Sequence, residues 1–323
     1  MKHYAVWALV AILALSGAVA ALHRDARPRA DEQIITPNAP ALAPPEGALQ
    51  VYHLGHSLVG RDMPAMVRQL AEAAGIPGHG YHSQLGWGTP LRAHWYPDAE
   101  IAGFERENDH PQFRLAHEAI DSGDYDAVVL TEMVELRDAI EYHDSGTYFR
   151  EWARAARQAR PGVRLYLYET WHPRDDQDEW LARLDSDPVA LWKGHVLAPS
   201  WADDALGPVH LIPAGRVMAA FTRAVRDRGG VDGLADETGL FQRNDDGTLD
   251  TIHINDLGNY LVALTHFAVL YHRPVQGLPH ALRRADGTRA DAPSDEAAQL
   301  MQEVVWDVIR DTPFTGLAQE SDG

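Results

Sequence analysis

Short apolar, β-rich runs alternate with helical patterns across residues 49–310, and this alternation constrains the fold more than any other feature of the chain. Leu49–Leu54, Tyr125–Leu130, Val163–Tyr168 and Val209–Ile212 read as strands. Amphipathic or apolar helical patterns cover Met63–Ala74, Tyr148–Arg160, Ala214–Arg228, Asn255–Tyr271 and Asp295–Arg310. A run such as YDAVVL offers no polar face, so it must be covered on both sides, as in a parallel sheet whose crossovers are helices. The expectation is one α/β domain over residues 48–312. The Asp-, Pro- and Gly-rich stretches 171–207 and 229–249 read as loops or insertions near the site, and there is no internal repeat.

The two ends have a different character. Lys2 and His3 precede an uncharged apolar run, Tyr4–Leu22, with an A-x-A pattern at Ala18–Ala20. Residues 1–22 therefore read as a cleaved export signal or an uncleaved membrane anchor. Either leads to a periplasmic or secreted protein, touching a membrane only through that segment. Residues 23–47, with Pro28, Pro37, Pro40, Pro44 and Pro45, read as an extended linker. Residues 313–323 read as a flexible tail.

Composition narrows the chemistry. The absence of cysteine excludes disulfides, thiolate metal sites and a cysteine nucleophile. A formal charge of -19 argues against nucleic acid as a partner. The 17 histidines raise the question of a metal. However, His53 and His56 point to opposite faces of a strand, and His79 and His82 fall in a Gly- and Pro-rich stretch read as loop. No His-Glu-x-x-His motif is present, so no metal or other cofactor is expected.

Two distant segments carry chemistry. Gly55-His56-Ser57-Leu58 follows the first strand, and Asp250-Thr251-Ile252-His253 precedes the long helix at 255–271. A serine hydroxyl becomes a useful nucleophile when an imidazole accepts its proton and a carboxylate holds that imidazole. Asp250, three residues before His253 on a turn entering the helix, can supply the carboxylate. A serine at the carboxyl end of the first strand sits where open α/β sheets place ligands. Val59 breaks the Gly-x-Ser-x-Gly elbow of α/β-hydrolases.

These two segments, together with Gly258 and the aromatic positions of DTIHINDLGNYLVA, resemble the SGNH/GDSL hydrolase superfamily over residues 49–272. The resemblance implies a flavodoxin-like α/β/α sandwich with a parallel sheet of about five strands. It implies Ser57 as nucleophile, His253 as general base and then acid, and Asp250 as the residue orienting His253. It also implies an oxyanion hole formed by the Ser57 N–H and a glycine of Leu85-Gly86-Trp87-Gly88, with Gly88 the better match and Gly86 the alternative. The family's Gly-x-Asn-Asp block is replaced by Leu130-Thr131-Glu132-Met133. Thr131 can donate a hydrogen bond there. An ionised Glu132 can only accept, so it is expected to point away, bind a substrate hydroxyl or carry a proton.

His56 beside Ser57 is expected to shape the pocket. Trp171 is a candidate for stacking on a sugar ring or acyl group, and His172 for lining the pocket. Trp87, His94 and Trp95 are similar but less specific candidates. The function implied is an exported serine esterase that removes acyl groups, acetyl among them, from a carbohydrate or other small ester. The alternatives are an O-acyltransferase acting on an envelope polysaccharide with the same triad, a lipid esterase using 171–207 as a lid, and a non-catalytic glycan-binding protein on this fold. Oligomeric state is not legible.

Overall fold

The structure is a computed structural model that describes residues 40–318. The apolar run at 4–22, most of the proline-rich linker and residues 319–323 lie outside the described residues. Five parallel strands form the central sheet: β1 Gln50–His56, β2 Gly80–Gly86, β3 Ala127–Leu130, β4 Arg164–Glu169 and β5 His210–Pro213. Their order is β2-β1-β3-β4-β5, the flavodoxin-like arrangement. Neighbouring residues in each strand feed opposite layers. Val51, Val129 and Tyr168 join a core with helices α1 (Asp62–Ala73), α9 (Ala214–Asp227), α10 (Asp256–Tyr271) and α11 (Asp295–Asp311). Tyr52, Leu54 and Leu167 join the opposite core, with α4 (Ala116–Asp121) and α6 (Ser145–Ala159). The result is a three-layer α/β/α sandwich.

Helix α10 is apolar all round because it lies between α1 and α11 over the sheet. Asn255 caps it, its side-chain oxygen accepting from the N–H groups of Leu257 and Gly258. Gly258 permits the close approach there, since a Cβ would stand 2.6 Å from the Leu240 carbonyl oxygen and from Ile254 Cβ.

Several expectations are corrected. His82 belongs to β2, an edge strand of the sheet paired with β1, rather than to a loop. Residues 171–207 are largely helical, with α7 (Trp180–Asp187), a π-helix (Pro188–Leu197) and α8 (Ala198–Trp201). This insertion contributes Trp192, Val196 and Leu197 to the core beside α6. It is pinned by buried Arg183, which bonds Glu135, Asp176 and Asp187. The stretch 229–249 supplies a 3-10 turn (Glu237–Leu240) and the first part of an antiparallel hairpin, β6 (Phe241–Arg243) with β7 (Leu249–Ile254).

The described parts of the linker and tail are also ordered against the body. Leu42 N–H donates to Gly316 O at 2.8 Å, and the Arg164 guanidinium donates to Ala43 O at 2.6 Å. Leu211 of β5 donates to Phe314 O at 2.8 Å, and Thr315 is fully buried, so residues 313–317 cover part of an exposed sheet edge.

Candidate active site

Strand β1 leaves the sheet between its two neighbours, β2 and β3, at the point where the winding direction of the chain reverses. Such a reversal opens a crevice at the carboxyl ends of the strands. Gly55, near the end of β1, is required by the tightness of that place: a Cβ there would lie 2.3 Å from Thr131 Cγ2. Ser57 follows in a turn closed by Val59 N–H donating to His56 O at 2.9 Å.

Two histidines clamp this turn through its backbone and a neighbouring carbonyl. His94 donates from Nε2 to Gly55 O at 2.8 Å while its Nδ1 accepts from the Gln84 amide at 2.9 Å. His56 donates from Nε2 to Glu132 O at 2.8 Å. Burial pushes both imidazoles down to about 4, so each is a neutral donor with a fixed tautomer. Tyr168 adds a hydroxyl donated to Leu58 O at 3.1 Å.

The hairpin brings the second segment over Ser57. Ser57 Oγ lies 3.0 Å from His253 Nε2, and His253 Nδ1 lies 2.8 Å from Asp250 Oδ2. Asp250 and His253 are on the extended strand β7, where a helical turn was expected. The side chain still folds back across three residues because Asp250 Oδ1 accepts from the N–H groups of both Ile252 and His253, at 2.9 Å each. Partial burial works against the Asp250 charge, but these two N–H groups and the imidazole outweigh it and hold the carboxyl below its usual range. Asp250 Oδ2 therefore presents a negative oxygen to Nδ1, which leaves the lone pair of Nε2 directed at the serine hydroxyl.

Trp171 does not stack in the site as expected. It is buried, and its indole N–H donates to Ile252 O at 2.8 Å, which fixes the strand between Asp250 and His253. His172 is likewise buried, beside Arg183 and Trp192 around a separate small hollow. Thr131 is fully buried and gives its hydroxyl proton to Tyr168 O at 2.8 Å, so it has none for an oxyanion. Glu132 is fully buried and points away, with Oε1 accepting from Leu91 N–H at 3.1 Å and Met133 N–H at 2.8 Å. Burial raises its carboxyl to about 7, and Oε2 has no hydrogen-bond partner among the described residues. It braces the start of helix α2 (Leu91–Trp95) and does not reach the substrate space.

For an oxyanion, backbone remains. Gly86 pairs with His56 in the sheet, so the segment Gly86–Gly88 leaves β2 beside Ser57. Trp87 N–H is committed to Ala102 O at 2.7 Å. The N–H groups of Ser57 and Gly88 meet no protein acceptor among the described residues. Gly88 adopts a left-handed conformation with open space beside its Cα, whereas a Cβ on Gly86 would strike Thr89 and Ile101.

Ser57 and His253 open on a cleft of about 1270 Å³, lined by both polar and apolar residues, that no sequence pattern had indicated. Tyr81, Ser83, Gln242 and Asn259 offer hydroxyl and amide groups to it. Arg61, Arg106 and Arg284 line it together with Asp62, Glu105, Glu107, Asp109 and Asp286. Among the described residues no group of three or more His, Asp or Glu is placed to hold a metal ion.

No family model matches this chain, and no curated protein matches it. The chain is similar to several solved structures. A DUF4886 family protein from Bacteroides uniformis is 16% identical over 81% of this chain and 95% of its own, with a TM-score of 0.48. An acetyl xylan esterase is 14% identical over 68% of this chain and 99% of its own, at 0.41. A carbohydrate esterase family 3 protein from Talaromyces cellulolyticus is 17% identical over 69% of this chain and 97% of its own, at 0.35.

Proposed function

We propose that the protein is a serine esterase of SGNH type that removes acyl groups, in the simplest case acetyl, from a carbohydrate. The observation that carries this reading is the Ser57–His253–Asp250 chain, with links of 3.0 and 2.8 Å, at the sheet's winding reversal and open to a cleft. His253 Nε2 takes the Ser57 proton as Oγ attacks the ester carbonyl. The same nitrogen then returns the proton to the departing sugar hydroxyl. Water, deprotonated by His253, attacks the acyl-enzyme and releases the acid and Ser57.

The negative oxygen of the tetrahedral intermediate is assigned to the N–H groups of Ser57 and Gly88. One such donor is worth about 10²–10³ in rate. With Thr131 committed elsewhere and Asn108 Nδ2 bound to Leu85 O and Phe104 O, no side-chain amide is assigned to this hole.

The cleft favours a sugar over a lipid. Its hydroxyl-, amide- and charge-bearing side chains suit hydroxyl-rich rings, and its acidic residues outnumber its arginines, which disfavours an anionic headgroup. Export is proposed from the apolar run Tyr4–Leu22 and the A-x-A pattern after it.

The test is hydrolysis of p-nitrophenyl acetate and of an acetylated sugar panel, with fluorophosphonate labelling. Wild type should turn over and label at Ser57, and Ser57→Ala should do neither. A Ser57→Ala protein that retains wild-type turnover refutes the mechanism.

A further inference from the structure

A second groove, of about 870 Å³, adjoins the Ser57 cleft. The two share Phe104, Glu105 and Arg106, so helix α3 (Phe104–Asn108) is their common wall. The groove displays three of the few exposed large apolar side chains among the described residues: Trp87, Tyr96 and Leu115 are each about half exposed, at 48%, 49% and 51%. Scattered single apolar residues need no explanation, but three converging on one hollow beside a candidate active site do.

The two aromatic rings are held in place at their polar edges. Trp87 donates its indole N–H to Glu107 Oε1 at 2.7 Å, and backbone at Gly103 lies against its ring, where a Cβ would stand 2.3 Å away. The Tyr96 hydroxyl lies 2.6 Å from that of Tyr148, and the two rings meet edge to face. Each ring thus has one fixed orientation, which reduces the ordering cost of binding, and is about half exposed, with the Arg106 guanidinium 6.0 Å over the Trp87 ring. Glu105 and Glu118 stand on the same walls, and Arg106 is the only arginine there among the described residues. Apolar ring faces flanked by carboxylates match a ligand that is apolar on one face and rich in hydroxyl donors at its rim. A surface with this charge balance disfavours an anion.

We propose that this groove is a binding subsite for a neutral oligosaccharide chain, with sugar rings lying on Trp87 and Tyr96. It rests on the esterase reading only in assigning the acylated ring to Ser57, from which the chain continues over α3 into the groove. Substrate length, in this arrangement, is read by Trp87 and Tyr96 and the acyl group by the Ser57 cleft.

Titration calorimetry of the intact chain with xylotetraose, cellotetraose and N-acetylchitotetraose, all lacking an ester, tests the groove without requiring turnover. At least one should bind wild type. Trp87→Ala should weaken that binding by about tenfold or more, as truncation of an aromatic anchor does, while Trp87→Phe should keep most of it. Thermal melting of each variant checks that it is folded. No binding of any tetrasaccharide, or equal binding by folded Trp87→Ala, overturns the subsite even if p-nitrophenyl acetate is hydrolysed. Binding to p-nitrophenyl octanoate that depends on Trp87, with sugars indifferent to it, also overturns it, in favour of an acyl-chain groove. Sugar binding that depends on Trp87 in a chain with no esterase activity supports the groove and sinks the Ser57 reading instead.

Discussion

Acidification from pH 7 to pH 5 should destabilise this protein strongly, through histidines that the fold keeps neutral. His56, His79, His94, His172, His210 and His266 are all buried, and burial is the main cause of their shift down to about 4. The unfolded chain binds protons at these sites near 6.5, so it takes up more protons than the folded one between about pH 4 and 6.5. Their stabilisation is complete above 6.5 and is lost as pH falls through that window. Each contributes about 2 kcal/mol of loss between pH 7 and 5, or about 11 kcal/mol for the six.

Glu132 and Glu169 oppose this. Burial raises both to about 7, so the folded state gains protons first on acidification. Together they return about 4 kcal/mol over the same interval, leaving a net loss of about 7 kcal/mol against a typical total of about 5–15. Half of that net loss lowers the melting temperature by about 6 °C for a domain of this size. Scanning calorimetry at pH 7 and 5 gives the total, and urea unfolding near pH 5.5 gives the proton count. His266 isolates one contributor: Nδ1 donates to Val262 O at 3.0 Å, Nε2 has no partner, and the ring meets Tyr168 edge to face at 4.6 Å. His266→Phe keeps the aromatic contact and should remove about one proton from the uptake on unfolding near pH 5.5, or about 1 kcal/mol per pH unit of slope. Melting temperatures within about 3 °C of each other at pH 7 and 5 would refute the reasoning.

Other perturbations address the site itself. Asp250→Asn should lower kcat by about 10²–10⁴ with little change in KM, because the imidazole loses its charged partner and its enforced tautomer; an effect confined to KM in steady-state kinetics would contradict this. Trp171→Phe removes the donor to Ile252 O and should lower kcat by about tenfold through loosening of β7, with a circular dichroism spectrum like wild type. Glu132→Gln keeps an acceptor for Leu91 and Met133 but cannot ionise. Because the Glu132 carboxyl titrates near 7 when folded and near 4.5 otherwise, it destabilises above about pH 5, and the variant should gain about 1–3 kcal/mol at pH 8 and almost nothing at pH 4 in urea unfolding.

What was legible in the sequence follows from how local the determinants are. The apolar runs of β3, β4 and β5 and the patterns of α1, α9, α10 and α11 emerged within a residue or three of their observed ends, because two-sided burial leaves little compositional freedom. Strand β2 did not: GYHSQLG is an edge strand, and its polar Ser83 and Gln84 are buried only because the segment carrying Asn108 to Ala116 comes back against it. Gln84 is in fact part of the relay from the Ala116 N–H through His94 to the Gly55 carbonyl, a chain whose members Gln84, His94 and Ala116 lie far from Gly55 in sequence and share no periodicity.

The same reasoning separates the site into what spacing can show and what it cannot. Ser57 and His253, 196 residues apart, were named together because a nucleophile and its base must meet whatever the intervening chain does. Trp171 and Glu132 sit at the ends of strands whose carboxyl edge faces the cleft, so position alone suggested contact with substrate. Their actual partners decide otherwise. An indole N–H buried beneath β7 must find an acceptor, and the Ile252 carbonyl is the one within reach. A carboxylate at a fully buried position must find donors, and the free N–H groups at the start of α2 supply one. On the proposed mechanism both residues would act through the backbone they hold: Trp171 through the strand bearing Asp250 and His253, and Glu132 through the start of α2, just after Gly88. Substitution of either should alter kcat through geometry while leaving the Ser57 hydroxyl accessible to a fluorophosphonate. Loss of labelling in a folded Trp171→Phe or Glu132→Gln protein would contradict that assignment.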